Sequence, residues 1–307
     1  MSLYSVRDLH VHYGVARAVD GVSFEWRKGE VLGVVGESGC GKSTLARAML
    51  GLVRTAGGEI EVDGSPVHGG AAMRALRQRV QMVFQDPYQT LNPRMRVRTI
   101  VTEPLVVQNV PVAEHAARVD RALSDVGLPA ERFAERYPHE LSGGQRQRVA
   151  IAAALVLEPD GLICDEPVSM LDVSVQAQVL KVLMDLRESR SLALLFITHD
   201  LGLAWALCDR IAVMYLGRIV EQGTAEQVIE HPRHPYTQAL VAAVPSPSRA
   251  EGVKLLPGEP PDAAHIPPGC RLHPRCPHRF EPCDSEDPSL LATGDDGHAA
   301  ACLLLRT

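Results

Sequence analysis

Gly36-Glu37-Ser38-Gly39-Cys40-Gly41-Lys42-Ser43-Thr44 follows directly on the apolar run Val31-Leu32-Gly33-Val34-Val35. A strand, a glycine-rich turn and a Lys-Ser/Thr pair opening a helix make up the G-x-x-x-x-G-K-[ST] phosphate loop in full. The glycines let successive N–H groups point inward as an anion nest, and a helix starting near Lys42 adds its positive end. Lys42 would neutralise the β- and γ-phosphates of a nucleotide, and Ser43 would offer its hydroxyl to Mg2+. A chance match has odds of roughly one per cent in a chain of this length. The preceding strand lowers them further.

Two more apolar runs end in polar residues: Leu162-Ile163-Cys164 leads into Asp165-Glu166, and residues 192–197 lead into Thr198-His199. Short continuous apolar runs suit parallel strands covered on both faces, and open α/β sheets collect ligands at the carboxyl ends of strands. Helical stretches separate the strands; in one, Val175, Val179, Val182, Leu183 and Leu186 recur at i, i+3, i+4 spacing. Asp165 fits the Mg2+ shell, Glu166 the general base that polarises the attacking water, and His199 a contact to the γ-phosphate. Alone, an acidic pair after a strand reads as a helix N-terminus and a single histidine as structural. The phosphate loop upstream reverses the odds for the pair.

The 307 residues suggest about two domains at ~100–200 residues each. Hydrophobic residues at 46% and charged residues at 22% are ordinary globular usage, which excludes a disordered chain, collagen, a disulfide miniprotein and a coiled coil. Thirty-one Lys plus Arg against 37 Asp plus Glu give a net charge of −6, so no nucleic-acid partner is expected. The longest wholly apolar run, residues 149–157, is about half the ~18–20 residues of a spanning helix. Arg7 and Asp8 stand where a signal peptide needs its apolar stretch. The chain is therefore expected in the cytosol, peripheral to any membrane it serves. Eleven of the 22 prolines fall between Pro245 and Pro288, and four of the seven cysteines after residue 269. We accordingly read residues 1–235 as an α/β nucleotide-binding domain and 236–307 as a Pro-rich, Cys-bearing extension. So short a segment must lie on the main domain, be stapled by a metal, or be loose.

Leu141-Ser142-Gly143-Gly144-Gln145 narrows the class of phosphate-loop protein. The sequence resembles the ATP-binding-cassette (ABC) ATPases, whose signature is LSGGQ. Six of their marks occur in order: Tyr13, the 36–44 loop, Gln85, residues 141–145, Asp165-Glu166 with Asp172, and His199. The resemblance covers about residues 3–235. It implies a P-loop fold with a RecA-like core, an antiparallel β subdomain and an α-helical signature subdomain. Ser142-Gly143-Gly144 precedes a helix-like run, so its N–H groups make a second anion site. In the family, ATP is sandwiched between the loop of one subunit and the signature of the other, so hydrolysis belongs to a pair. Carried over, Tyr13 would stack on adenine, Gln85 would sense the γ-phosphate and Mg2+, and Asp172 would couple the two sites.

Val83-Phe84-Gln85-Asp86-Pro87-Tyr88, Leu91-Asn92-Pro93-Arg94-Met95, Tyr137-Pro138-His139-Glu140 and His231-Pro-Arg-His-Pro-Tyr236-Thr, followed by Pro245, resemble the oligopeptide/dipeptide importer group. Tyr88, Ser38-Gly39-Cys40-Gly41 and Glu103-Pro104-Leu105 resemble its F-type subunit. That subunit pairs with a non-identical D-type ATPase; a homodimer is the alternative. The segment after Gln85 is where family members dock on permeases, and Pro87 and Pro93 would hold it extended. The sequence departs from the family at Ala153, where Arg is usual, and at Val168 and Met170, where Thr and Ala are usual. None of these removes a catalytic group.

Cys270, Cys276, Cys283 and Cys302 stand at x5, x6 and x18 intervals. The cytosol disfavours disulfides, and the gaps exceed the usual two-to-four spacing of paired zinc ligands. Four thiolates is also the count for an iron–sulfur cluster. A [4Fe–4S] centre is preferred, and zinc and free thiols stay open as equal alternatives. Cys40, Cys164 and Cys208 read as small core or loop residues. The resemblance thus implies an ATP- and Mg2+-dependent ATPase on the cytoplasmic face of the cell membrane. It would serve a peptide importer with two integral-membrane permeases and an extracytoplasmic binding protein. An importer of nickel or glutathione, or a soluble non-transport cassette ATPase, is the alternative.

Overall fold

The structure, a computed structural model, describes residues 2–244, 256–294 and 297–306. Pro245, one of the marks of the importer group, lies outside the described residues. The strands are β1 (Ser2–Tyr13), β2 (Ala16–Arg27), β3 (Val31–Val35), β4 (Gly57–Val62), β5 (Ser65–Pro66), β6 (Val80–Val83), β7 (Gly161–Asp165), β8 (Ala193–Thr198), β9 (Arg210–Tyr215), β10 (Arg218–Thr224), β11 (Leu291–Ala292) and β12 (Ala299–Ala300). The helices are α1 (Lys42–Met49), α2 (Gly69–Arg79), α3 (Pro87–Thr90), α4 (Val97–Val107), α5 (Val112–Asp125), α6 (Ala130–Phe133), α7 (Gly143–Leu155), α8 (Val173–Arg190), α9 (Leu201–Leu207), α10 (Ala225–Glu230) and α11 (Pro235–Ala243).

Tertiary contacts divide the chain into two compact units. One comprises Met1–Leu3, Trp26–Gly29 and Val67–Leu195; the other Tyr4–Glu25, Glu30–Pro66 and Phe196–Thr307. The described residues of the segment 236–307 fall in the second unit.

In the first unit, β6 and β7 pair in parallel, from Val80↔Gly161 to Val83↔Cys164. Every residue of β7 is buried, as its unbroken apolar run requires. Helices α4, α5 and α8 pack on α7, with Val101, Leu105, Leu123, Val149, Ile151 and Leu155 closing the core. Helix α8 turns Val179, Leu183 and Leu186 inward as the i, i+3, i+4 pattern predicts, while Val175 and Val182 are half-buried. One expectation is corrected here. Pro87 does not extend the segment after Gln85 but occupies the first turn of α3, where its fixed φ suits a helix. The turn forms because the Asp86 carboxylate accepts the Tyr88 N–H at 2.7 Å.

In the second unit, β3 and β9 are parallel, β9 and β10 antiparallel, and the order continues through β12 to β11. A second sheet runs β2-β1-β4-β5, antiparallel at β1–β4 and β4–β5. The C-terminal extension lies on this unit. β12 adds to β10 with Glu221↔Ala300, and Ala301 N–H reaches Val220 O at 2.8 Å. Arg271 forms a buried ion pair with Asp20, and His298 Nε2 meets Glu221 Oε1 at 2.8 Å with both side chains fully buried. No helix among the described residues is long and apolar enough to cross a membrane.

Candidate active site

The second unit carries the phosphate loop between β3 and α1. Gly41, at φ 108°, caps α1 with no side-chain hydrogen bond. A Cβ there would lie 2.0 Å from Ala18 O, so both the left-handed backbone and the close approach require glycine. Lys42 is 5% exposed, and its ammonium donates to Gly36 O at 2.7 Å and Glu37 O at 2.9 Å. A buried cation held by neutral carbonyls, at the positive end of a helix, is an anion site in charge as well as in shape. Ser38 and Gly39 are on the surface of the loop, and Ser43 and Thr44 begin α1. Cys40 is buried, which pushes its thiol up against the partly offsetting charge of Lys42.

Two other expected residues lie in this unit. Tyr13, half exposed, ends β1 before the tight turn at Gly14. His199 is exposed between the end of β8 and α9, whose N-terminus is capped by Asp200 at 3.1 Å from Leu203 N.

The first unit carries the acidic pair and the signature. Asp165 ends β7 and is 2% exposed. Glu166 follows at φ 46°, a left-handed conformation that glutamate rarely adopts and that strained functional turns often hold. Gln85 Nε2 donates to Glu166 Oε2 at 3.0 Å, across 81 positions of sequence. Two residues read only as separate motif positions are thus brought together.

Ser142 caps α7 reciprocally with Gln145: Gln145 N–H donates to Ser142 Oγ at 3.3 Å, and Ser142 N–H to Gln145 Oε1 at 3.0 Å. Gly143 sits beside Tyr88, whose hydroxyl would lie 3.5 Å from an added Cβ. At Gly144 a Cβ would lie 2.3 Å from Val175 Cγ1, so the close approach of the two helices excludes a side chain. The Arg146 guanidinium stacks 4.4 Å over the Tyr88 ring, which ties α3 to the signature helix. Asp172, exposed, occupies the N-cap position of α8.

The four cysteines of the extension gather round one small pocket together with His273 and His278. None of them is joined in a disulfide, and burial pushes the Cys270 thiol up to about 11. Cys40, Cys164 and Cys208 are buried, in keeping with their reading as packing residues.

A family model for ABC transporters matches residues 19–169, and one for the C-terminal region of oligopeptide/dipeptide transporters matches residues 220–283. Over 313 aligned positions the chain is 47% identical to the dipeptide transport ATP-binding protein DppF of Escherichia coli (strain K12), covering 96% of this chain and 92% of the relative. The chain belongs to the ABC transporter ATPases, in the oligopeptide/dipeptide branch.

Solved ABC cassettes share the fold. The cbiO1 protein of Clostridium perfringens, part of the ABC transporter complex cbiONQ, is 32% identical with a TM-score of 0.68, over 75% of this chain and 91% of that one. The ATP-binding cassette MJ0796, a dimer bound to ADP and Pi in a post-hydrolysis state, is 27% identical with a TM-score of 0.63, over 72% of this chain and 98% of that one. An ABC ATPase binds and hydrolyses ATP, and this one is an enzyme of that kind.

Sequence reasoning missed the contacts that two residues of the second unit make with the loop, and a third residue beside them. Tyr236 accepts the Glu37 N–H on its hydroxyl at 2.8 Å, and Arg275 grips the Glu37 carboxylate at 2.9 and 3.1 Å with Tyr215 beside it. These partners lie about 180–240 positions from the loop in sequence, beyond the reach of any local pattern.

Proposed function

We propose that the chain is the ATP-hydrolysing subunit of a peptide importer, peripheral to the cytoplasmic face of the membrane. It would pair with a second, D-type ATPase on two permeases served by an extracytoplasmic binding protein. The observation that carries this reading is the extension. A C-terminal region of the oligopeptide/dipeptide kind, continuous with a cassette 47% identical to a dipeptide transport protein, sets this chain apart from cassettes of other work.

Within the reaction, Tyr13 stacks on adenine and the 36–44 loop binds the phosphates, with Lys42 on the β- and γ-groups. Ser43, Gln85 and Asp165 offer a hydroxyl, an amide and a carboxylate, the hard oxygen donors that suit Mg2+. When bound, Mg2+ neutralises charge on the phosphates. Glu166, oriented by the Gln85 amide at 3.0 Å, accepts the proton of the attacking water as general base. The water oxygen bonds to the γ-phosphorus as the bond to the β–γ bridging oxygen breaks, giving ADP and phosphate. His199 contacts the γ-phosphate. Ser142 to Gln145 present the positive end of α7 to the triphosphate held by the partner ATPase, and Asp172 couples the two sites. Closing and opening of the ATPase pair then drives alternating access in the permeases.

For the four cysteines we propose a [4Fe–4S] cluster in preference to zinc. The thiols converge on one pocket, in the number that an iron–sulfur cluster takes. An iron–sulfur cube takes one thiolate per iron and keeps them spread. Anaerobic purification is expected to yield iron, acid-labile sulfide and visible absorbance in proportion to protein. Colourless protein without iron contradicts the cluster.

The importer reading is tested by mild-detergent purification of the tagged chain from native membranes. Recovery of two permeases and a second ATPase is expected. Recovery of soluble chains or nucleic acid alone would overturn the transport reading and leave the ATPase intact.

A further inference from the structure

Glu37 is the second residue of the phosphate loop, and all three of its polar groups are held within the second unit. Its N–H donates to Tyr236 Oη at 2.8 Å, its carbonyl accepts from Lys42 Nζ at 2.9 Å, and its carboxylate is gripped by both terminal nitrogens of Arg275 at 2.9 and 3.1 Å. Arg275 belongs to the C-terminal extension, one residue before Cys276. Its side chain is 7% exposed, and its remaining donors go to Pro257 O and Gly258 O, both at 3.1 Å, and to Tyr215 Oη at 3.4 Å. The extension and the phosphate loop therefore meet in one fork-to-fork contact, the geometry that guanidinium and carboxylate make best.

The placement has an electrostatic consequence. A loop built to hold a triphosphate carries a carboxylate of the same sign on its second residue, and like charges at such range oppose binding. The guanidinium, within 2.9 and 3.1 Å of the two carboxylate oxygens, cancels that charge. Lys42 is then left as the one buried cation of the loop whose charge faces the ligand.

We propose that Arg275 is a positioning residue for ATP: it neutralises and fixes the Glu37 carboxylate, so that the phosphate loop reaches its full affinity only with the C-terminal extension docked on it. The proposal builds on ATP binding at the 36–44 loop, as read above. Arg275 acts through Glu37 and touches no reacting atom. The second loop position makes ATP affinity depend on a segment about 240 residues away, and that segment also bears Cys270 and Cys276.

Steady-state ATP hydrolysis by the assembled transporter tests this, with Arg275→Ala, Arg275→Lys, Glu37→Gln and the double variant Arg275→Ala/Glu37→Gln. Arg275→Ala leaves the carboxylate uncompensated and is expected to raise the KM for ATP at least about fivefold, with kcat unchanged. Arg275→Lys keeps the charge without the fork and falls between Arg275→Ala and wild type. Glu37→Gln removes the charge that needs compensation, so the double variant returns most of the way to the wild-type KM. Fluorescent-nucleotide binding and melting curves on the same proteins separate affinity from folding.

An unchanged KM in Arg275→Ala overturns the proposal. So does a raised KM that Glu37→Gln fails to rescue, because a purely structural docking role would survive in the double variant. Wild-type assembly that hydrolyses no ATP would instead overturn the reading of the site itself.

Discussion

Glu166 holds its left-handed backbone at a cost of order 1 kcal/mol or more, and it follows a strand buried along its whole length. The buried strand fixes where the carboxylate leaves the sheet, and the Gln85 amide fixes one of its oxygens. Lys42 is fixed in another way, by two carbonyls of its own loop. The two residues therefore fail differently. Lys42→Ala removes the buried cation and is expected to abolish ATP binding and to lower hydrolysis by roughly 100-fold or more. Glu166→Gln keeps shape and the Gln85 contact but loses the base, so hydrolysis falls by about 100-fold or more while ATP is still bound. Nucleotide-binding and phosphate-release assays on both variants check this. Near-wild-type hydrolysis by Glu166→Gln would remove Glu166 from the role of base.

At the scale of elements, helix caps decide much of the local structure. Helix α7 begins with the reciprocal Ser142–Gln145 cap, which holds its first N–H groups in one direction. Helix α11 begins at His234, whose Nδ1 accepts the Tyr236 N–H at 3.1 Å. Burial pushes the His234 imidazole down to about 4, against a smaller opposing hydrogen bond with the backbone at Ala301. The unfolded chain, with an ordinary value near 6.5, binds the proton first on acidification. Stability is thus full above about pH 6.5 and is lost progressively towards pH 4, by roughly 3 kcal/mol in all. His234→Asn keeps an N-cap acceptor without the titration, so its melting temperature is expected to fall less between pH 7 and 4.5. An identical pH slope in the variant would contradict this.

Several elements were legible in the sequence because each is decided locally. β3 follows from its apolar run, α1 from the glycine turn, and α8 from its period. α3 was not legible: two prolines suggested an extended chain, and the Asp86 cap that closes a helical turn shows only once the backbone bends.

At the scale of the whole molecule, the nucleotide residues were legible as motifs because phosphate chemistry restricts the residue types at each position. Their partners were not. The Gln85–Glu166 bond and the Arg275–Glu37 fork join residues far apart in sequence, and only the fold brings such pairs together. The extension shows the same limit. Its prolines and cysteines announced an irregular segment, yet its attachment through Arg271, β12 and the buried His298–Glu221 pair depends on surfaces formed by distant strands.

The chain is an ATPase whose cassette is fitted with an importer-type extension, and its hydrolysis is expected to move peptide. The most direct measurement is uptake of a labelled peptide into proteoliposomes holding the assembly purified through this chain, with ATP supplied on the cytoplasmic side and phosphate release followed in parallel. Uptake and hydrolysis are expected together, and both are expected to disappear with Glu166→Gln while the assembly stays intact. Hydrolysis without peptide movement, or uptake undiminished by Glu166→Gln, would contradict the account.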